Sequence, residues 1–386
     1  MTAPSLGAVH EGRGVTPRPP TFAEARNRRQ KARTAGLHPD YWYAVEYDRA
    51  VGPGQVRQVR FWGQSIALFR GEDGRLRALE DRCAHRQLQL SLGTVEGCRL
   101  TCLYHGWSYG EDGCLAVVPH DLFGHPMPAV GVRAYPVRVR YGLVWIFPGD
   151  PARADVRQIP DIPELEGAAP WACVPLDFTW RAHHSLIVDN VSDFTHAWLH
   201  RKYQPFSDAR LTRCEGVGDR VHVSYETKVG RGRFSGLFVD RRRIDTNAMD
   251  LCYDYPYQWS NTDGKIKHWC FFLPINERTT RTFFLFYFES LKIPWLPLRV
   301  PSRLMSLVLR VSNRVLIGPL LRQDGVAVEA DQAAWEAHFD EPVPELNPAI
   351  GLFQQLTVRK WEEHLAQAAR RPPATPAGVD TPADVR

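Results

Sequence analysis

Two short segments of the chain each pair one cysteine with one histidine: Cys83-Ala84-His85 and Cys102-Leu103-Tyr104-His105, with sixteen residues between them. Two thiolates and two neutral imidazoles brought to one centre are the ligands of a [2Fe–2S] cluster in which one iron takes both Cys and the other both His. Exchanging two thiolates for imidazoles removes negative charge from one iron and raises the reduction potential, which suits short-range, one-electron delivery. A zinc site is the competing reading. Zinc fingers, however, usually pair Cys with Cys and His with His, as C-x2–4-C and H-x3–5-H, whereas here each loop mixes the two. Such a cluster has no open position for a reacting molecule. The stretch Asp189-Asn190-Val191-Ser192-Asp193-Phe194-Thr195-His196-Ala197-Trp198-Leu199-His200 offers a second centre. On a helix, His196 and His200 would share one face and reach one ion. One added carboxylate would complete a two-His, one-carboxylate triad, which leaves positions open on Fe(II) for oxygen.

The runs Asp81-Arg82-Cys83-Ala84-His85-Arg86 and Cys102-Leu103-Tyr104-His105-Gly106-Trp107-Ser108 resemble the cluster loops of Rieske non-heme iron oxygenases, of the alpha (oxygenase) subunit type. Respiratory-chain Rieske proteins carry an extra, disulfide-bonded Cys in each loop. The corresponding residues here are Leu88 and Tyr104, so the resemblance runs to the oxygenase branch. The Asn190-x2-Asp193-x2-His196 arrangement is similar to that of the single-component monooxygenases, the chlorophyll-oxygenase-like and demethylase groups. The resemblance implies that Cys83, His85, Cys102 and His105 hold the cluster, and that His196, His200 and Asp324 hold the mononuclear iron. Asp324, in Arg322-Gln323-Asp324-Gly325, looks like the family's late Asp at the head of a helix, with Glu329 and Asp331 as runners-up. Relatives commonly set four or five residues between the two His, where this chain has three. The resemblance also gives Asp193 and Asn190 catalytic roles. Asp193 would bridge His196 to a cluster ligand, His85 or His105, of a neighbouring subunit in a ring-shaped homotrimer. A carboxylate on an imidazole N–H fixes the ring and raises its basicity. His183 and His184 read as structural or pocket-lining residues on a strand.

The elements that must position these groups fall into an α+β pattern. Residues 1–36 are basic and lack apolar periodicity, the pattern of a disordered arm. From Tyr41 to Phe147 short alternating runs (Val56–Trp62, Gln64–Arg70, Leu76–Leu79, Gly142–Phe147) alternate with Gly and Asp turns, so residues 37–150 are expected to form an antiparallel β domain with both cluster loops at one end. Residues 149–170, rich in Pro and Asp, read as a linker. Over 151–371 the runs Val221–Thr227, Met249–Gln258, Lys265–Pro274 and Thr280–Glu289 predict a large curved antiparallel sheet, and helices are expected near 325–340 and 350–369. The resemblance makes this a helix-grip-like catalytic domain, and 372–386 reads as a disordered tail. A helix over 302–317 would gather Arg303, Ser306, Arg310, Asn313 and Arg314 on one arc, leaving a wide apolar face for a substrate, a membrane surface or the domain's own core.

Composition bounds the function. The chain has 386 residues, and 48 basic against 43 acidic side chains leave a net charge of +5. That is too mild for a nucleic-acid partner, and no basic stripe interleaves with stacking aromatics. Eight Cys in such a length are too sparse for a disulfide scaffold and point to a reducing, cytoplasmic setting. No apolar run approaches the ~18 residues of a spanning helix. Gly230-Arg231-Gly232-Arg233-Phe234-Ser235-Gly236 has the wrong spacing for a dinucleotide site. Electrons, ultimately from NAD(P)H, are therefore expected through a separate ferredoxin or flavin reductase. The expected reaction uses O2 to hydroxylate, demethylate or oxidatively cyclise an apolar small molecule. Cis-dihydroxylation of an aromatic ring and pure electron transfer are the alternatives.

Overall fold

The structure, a computed structural model, describes residues 18–167, 170–202, 206–229, 246–264, 266–288 and 302–370. Residues 1–17 of the expected arm, the 372–386 tail, the Gly230–Gly236 segment and the side chain of Arg303 lie outside the described residues.

Residues 18–36 are docked onto the protein, which corrects the expectation of a free arm. Helix α1 (Arg28–Thr34) starts at Asn27, whose side chain accepts from the Gln30 N–H. It buries Gln30, Ala32 and Arg33. The basic composition hid this because the buried Arg33 guanidinium has a partner, the largely buried Asp189, at 2.7 Å.

Three small antiparallel sheets follow. Strand β1 (Tyr43–Tyr47) precedes β2 (Val56–Phe61), β3 (Gln64–Arg70) and β4 (Leu76–Glu80). Then come β5 (Thr94–Glu96), β6 (Arg99–Thr101), β7 (Ser108–Tyr109), β8 (Leu115–Val117), β9 (Ala134–Tyr135), β10 (Val137–Arg140) and β11 (Leu143–Ile146). They assemble in the orders β1-β11-β10, β2-β3-β4-β9 and β5-β6-β7-β8. Two hairpins turn on residue pairs with positive φ, Trp62-Gly63 and Tyr141-Gly142. Such pairs match the twist of the flanking strands. The cluster loops leave the ends of β4 and β6, over a small core of Phe69, Leu79, Leu90, Leu100 and Tyr109.

The remaining strands form one seven-stranded antiparallel sheet. Helix α2 (Pro163–Glu166) leads to β12 (Ala172–Trp180), then helix α3 (His184–Val191), β13 (Phe206–Val217), β14 (Arg220–Val229), β15 (Thr246–Asp254), β16 (Tyr257–Thr262), β17 (Ile266–Asn276) and β18 (Thr279–Phe288). Their order is β12-β18-β17-β16-β15-β14-β13. The expected strand Met249–Gln258 is two strands broken at Tyr255-Pro256, where proline has no N–H to give a ladder. The sequence pattern missed β12 and β13. Both are edge strands: β12 carries Pro175, tolerated at an edge, and β13 is interrupted by two register shifts.

Helices α4 (Ser302–Ser312) and α5 (Gly318–Ala337) join through a π-helical turn at Asn313–Ile317, and α6 (Pro348–Arg370) closes the fold. Leu304–Ala337 is long and apolar enough, by length and composition, to cross a membrane, correcting the expectation that no stretch reaches that size. Asn313 does not join the predicted outer arc. It is buried, and its amide donates to the Val174 carbonyl at 3.1 Å.

One core runs through both halves. Trp145 of β11 packs edge-on against Phe271 of β17, ring centroids 4.7 Å apart, and Tyr257 of β16 donates a hydrogen bond to the Trp42 carbonyl at 2.6 Å. The expected linker is anchored too: Ile159 and Ile162 are buried, and the Trp42 indole donates to the Ala154 and Arg157 carbonyls.

Candidate active site

The two cluster loops fold back on their cysteines alike. The Gln87 N–H donates to the Cys83 carbonyl at 2.9 Å, and the Gly106 N–H to the Cys102 carbonyl at 3.0 Å. Gln87 and Gly106 both have positive φ. A Cβ at position 106 would stand 2.6 Å from Pro119 Cγ, so the second loop needs its glycine. Asp81 clamps the first loop from a buried position, accepting from Gln58 Nε2, Ser65 Oγ, and both the N–H and hydroxyl of Ser91.

Cys83 and Cys102 are buried at the base, whereas His85 and His105 are half-buried, 4.6 Å apart between ring centroids. His85 lies flat on Trp107 at 4.5 Å. Its Nδ1 is buried with no hydrogen-bond partner. A lone pair so placed, beside a second imidazole and two buried thiols, fits iron ligation. The Tyr109 hydroxyl lies 3.1 Å from Cys83 Sγ and accepts the Ala84 N–H at 2.9 Å. A Cys83 thiolate holding iron has no proton to give, so there the hydroxyl would donate to the sulfur. Burial lowers the His85 pKa; burial, then Cys83, raises that of Cys102.

The second constellation converges from two elements. His196, His200 and Asp324 each offer a ligand atom, all within 4.8 Å of one another. Asp324 Oδ1 is 3.6 Å from His196 Nε2 and 3.3 Å from His200 Nε2, yet makes no hydrogen bond of normal geometry. A buried carboxylate oxygen facing two imidazoles fits a cation between them. The predicted helix under the His pair is corrected: α3 ends at Val191, and residues 193–200 form successive turns. The Leu199 and His200 N–H groups donate to the carbonyls three residues back, His196 and Ala197. This tighter winding lets a three-residue spacing converge. Asp324 is corrected from the head of a helix to the interior of α5.

The runners-up point elsewhere. Glu329 accepts from the Arg181 N–H at 2.9 Å, and Asp331 is exposed. His183 and His184 are not on a strand: His183 caps α3 and His184 begins it, both buried.

Sequence reasoning missed Gln323 and Asn347. Gln323 Oε1 lies 3.0 Å from His200 Nδ1, and because an amide oxygen only accepts, the proton sits on Nδ1 and the Nε2 lone pair is the one turned toward Asp324. Only its place beside Asp324 could have flagged it. Asn347 donates to Asp193 Oδ1 at 3.1 Å and to the Tyr225 hydroxyl at 2.9 Å. Asp193 Oδ1 also accepts the Thr195 N–H. Its hydrogen bond to His196 runs through the Asp193 backbone, with the carboxylate adding favourable charge. Asn190 stands in the last turn of α3, its Oδ1 buried without a partner. Burial lowers the His196 pKa. At His200 burial also pulls downward, but Asp324 and Gln323 outweigh it and the net shift is upward.

A β domain presenting two Cys/His loops, fused to an antiparallel sheet crossed by a helix that brings a carboxylate to two His, defines the class of two-centre, iron-dependent oxygenases. Residues 41–124 match the Rieske [2Fe-2S] domain and residues 180–368 the vanillate O-demethylase oxygenase C-terminal domain. Over 355 residues, 91% of this chain and 96% of the relative, the chain is 45% identical to the 4beta-methylsterol monooxygenase of Methylococcus capsulatus. It is 31% identical to the chloroplastic chlorophyllide a oxygenase of Arabidopsis thaliana over 158 residues, 41% of this chain and 28% of that one. The crystal structure of dicamba monooxygenase bound to dicamba shares the fold, with a TM-score of 0.68 at 23% identity over 87% of this chain and all of that one. The chain belongs to the Rieske non-heme iron oxygenases and is an oxidoreductase of their monooxygenase branch.

Proposed function

We propose that this oxygenase hydroxylates, or oxidatively removes, a methyl group on a polycyclic lipid alcohol of the sterol type. The carrying observation is an apolar wall that reaches the Asp324 segment of α5 through Trp180. On the helix side of the sheet, Val174, Leu176 and Phe178 of β12 lie opposite Phe286, Phe284 and Thr282 of β18, and Phe178 and Phe284 each contact Trp180. Trp180 in turn lies against Gly325, next to Asp324. Trp180, Phe284 and Thr282 are buried beneath, and Val174, Leu176, Phe178 and Phe286 keep the open apolar area that an extended hydrocarbon would bury. The 45% identical relative named for a methylsterol supports the same substrate class.

In this reading Cys83, His85, Cys102 and His105 hold the cluster, and His196, His200 and Asp324 hold the mononuclear iron. With both centres bound, the iron supplies oxygen activation and the cluster supplies single electrons. The chain's own residues do the positioning. Gln323 sets the tautomer of His200, Asp193 and Asn347 fix the turn carrying His196, and the aromatic wall keeps water from the reacting carbon. Electrons come from NAD(P)H through a ferredoxin or a flavin reductase, received at the rim where Leu103 and Tyr104 are exposed beside His105. We further propose a homotrimer in which Asp193 faces a neighbour's cluster, and contact with a lipid surface through Leu304, Leu307, Val311 and Val315. These four are exposed along one side of α4 and the π-helical turn, with Arg310 and Arg314 exposed nearby.

The test is turnover of a 4-methylsterol by the iron-loaded protein with a ferredoxin, its reductase, NADH and 18O2. The expected product carries one labelled oxygen on the methyl carbon or has lost that methyl. A cis-diol carrying two labelled oxygens would instead establish the dioxygenase reading. No product from the sterol, alongside consumption of a simple aromatic ring, would overturn the substrate class.

A further inference from the structure

Beside the apolar wall, β16 and β17 carry a hydrogen-bonded polar group. On β17, His268 and Cys270 alternate onto one face. Ser260 lies across from His268, and Gln258 across from Cys270, on neighbouring β16. This is the face toward the candidate iron site: Cys270 lies opposite Phe284 of β18, and Phe284 contacts the Trp180 ring that lies against Gly325, next to Asp324. A strand rises ~3.4 Å per residue, so His268 stands about 7 Å further along it than Cys270. Phe286 lies opposite His268 on the other neighbour, β18, with ring centroids 5.0 Å apart.

The hydrogen bonds of the group fix its chemistry. Gln258 Nε2 donates to the Trp259 carbonyl at 3.2 Å, which turns Gln258 Oε1 toward His268 Nε2, also at 3.2 Å. Because that oxygen only accepts, His268 carries its proton on Nε2. Nδ1 then accepts from the Ser260 hydroxyl at 2.7 Å. The 3.2 Å bond is at the long end for N–H···O, whereas the serine bond is short. Ser260 and Gln258 are buried, while His268 keeps part of its surface open although protein surrounds it. Burial holds its pKa down to about 4, so the ring is neutral at ordinary pH.

We propose that His268, held by Ser260, is the specificity residue for a neutral oxygen, a hydroxyl, on the substrate: the hydroxyl accepts the Nε2–H that Gln258 Oε1 holds at 3.2 Å in the free protein, and gives its own proton to that amide oxygen in exchange. This rests on the substrate class proposed above and adds to it the group by which the substrate is aligned. A neutral donor beside an apolar wall suits an alcohol. It gives no compensation for the desolvation of a carboxylate or sulfonate.

The experiment compares binding and turnover of a 4-methylsterol and its 3-deoxy counterpart by the full chain, wild type and variants. Binding is read by tryptophan quenching. One hydrogen bond contributes about 1 kcal/mol, so wild type should bind the alcohol about 5- to 10-fold more tightly than the deoxy compound. His268→Phe should reduce that ratio to below 2-fold, mainly through KM rather than kcat, and His268→Gln, which keeps a donor, should restore most of it. Should His268→Phe not fold, Ser260→Ala, which releases the ring, should also lower the ratio. A wild type that oxidises the sterol but shows no preference over the deoxy compound overturns the anchor and leaves the substrate class standing. So does a folded His268→Phe with an undiminished ratio. A wild type that binds neither compound overturns both.

Discussion

At the scale of single residues, two side chains outside the proposed ligand sets tune the residues inside them. The Tyr109 hydroxyl points at Cys83 Sγ, and hydrogen bonds to cluster sulfurs raise the reduction potential by favouring the more electron-rich state. Tyr109→Phe should therefore lower the cluster potential. For about 1 kcal/mol on a one-electron couple the drop is ~40 mV, measurable by redox titration followed by EPR. Gln323 has the corresponding part at the other centre. Gln323→Leu leaves the His200 tautomer unfixed and should weaken iron affinity about 10- to 100-fold, checked by iron content after graded chelation, while the cluster spectrum stays unchanged. The candidate cluster loops could be read from the chain because each is local and its spacing is a signature. Gln323 and Asn347 could not. Each lies more than a hundred residues from its partner, and an amide in a helix or loop carries no pattern that announces such a partner.

At the scale of elements, placement depends on a few close approaches. A Cβ at Gly325 would meet Trp180 Nε1 at 2.4 Å, so α5 can lie against β12 only with glycine there. Gly325→Ala should push α5, and with it Asp324, off the site. Loss of mononuclear iron with retention of the cluster is the expected outcome, read by metal count and EPR. Arg33 connects α1 to α3, donating to Ser185 Oγ at 2.8 Å as well as to Asp189, which also accepts from Gln354 of α6. Arg33→Met leaves the largely buried Asp189 carboxylate with Gln354 but without its cation. The expected cost is about 3–5 kcal/mol, measured by denaturant unfolding. Central strands and long helices were readable from periodicity. The edge strands, the turns under His196 and His200 and the docked α1 were not, because their geometry comes from tertiary partners rather than from a repeat.

At the scale of the whole molecule, acidity should be destabilising. His38, His184 and His268 are each held to a pKa of about 4 by burial, against about 6.5 in an open chain. Between those values the unfolded chain binds protons that the native state refuses. Stability therefore falls as pH drops through about 6.5, and the loss levels off below about 4. A fully buried ring such as His184 contributes ~3 kcal/mol of that loss. Urea midpoints measured from pH 7.5 to 4.5 should decline steadily, and His184→Gln should flatten the slope.

The packing of Trp145 on Phe271, and of Tyr257 on the Trp42 backbone, means that the boundary near residue 150 divides the chain but not its interior. Neither half is a detachable module. Severed there, each fragment would open a broad aromatic scar to water, so the iron–sulfur half could not be lent to another enzyme, nor replaced by a foreign one, without rebuilding that seam.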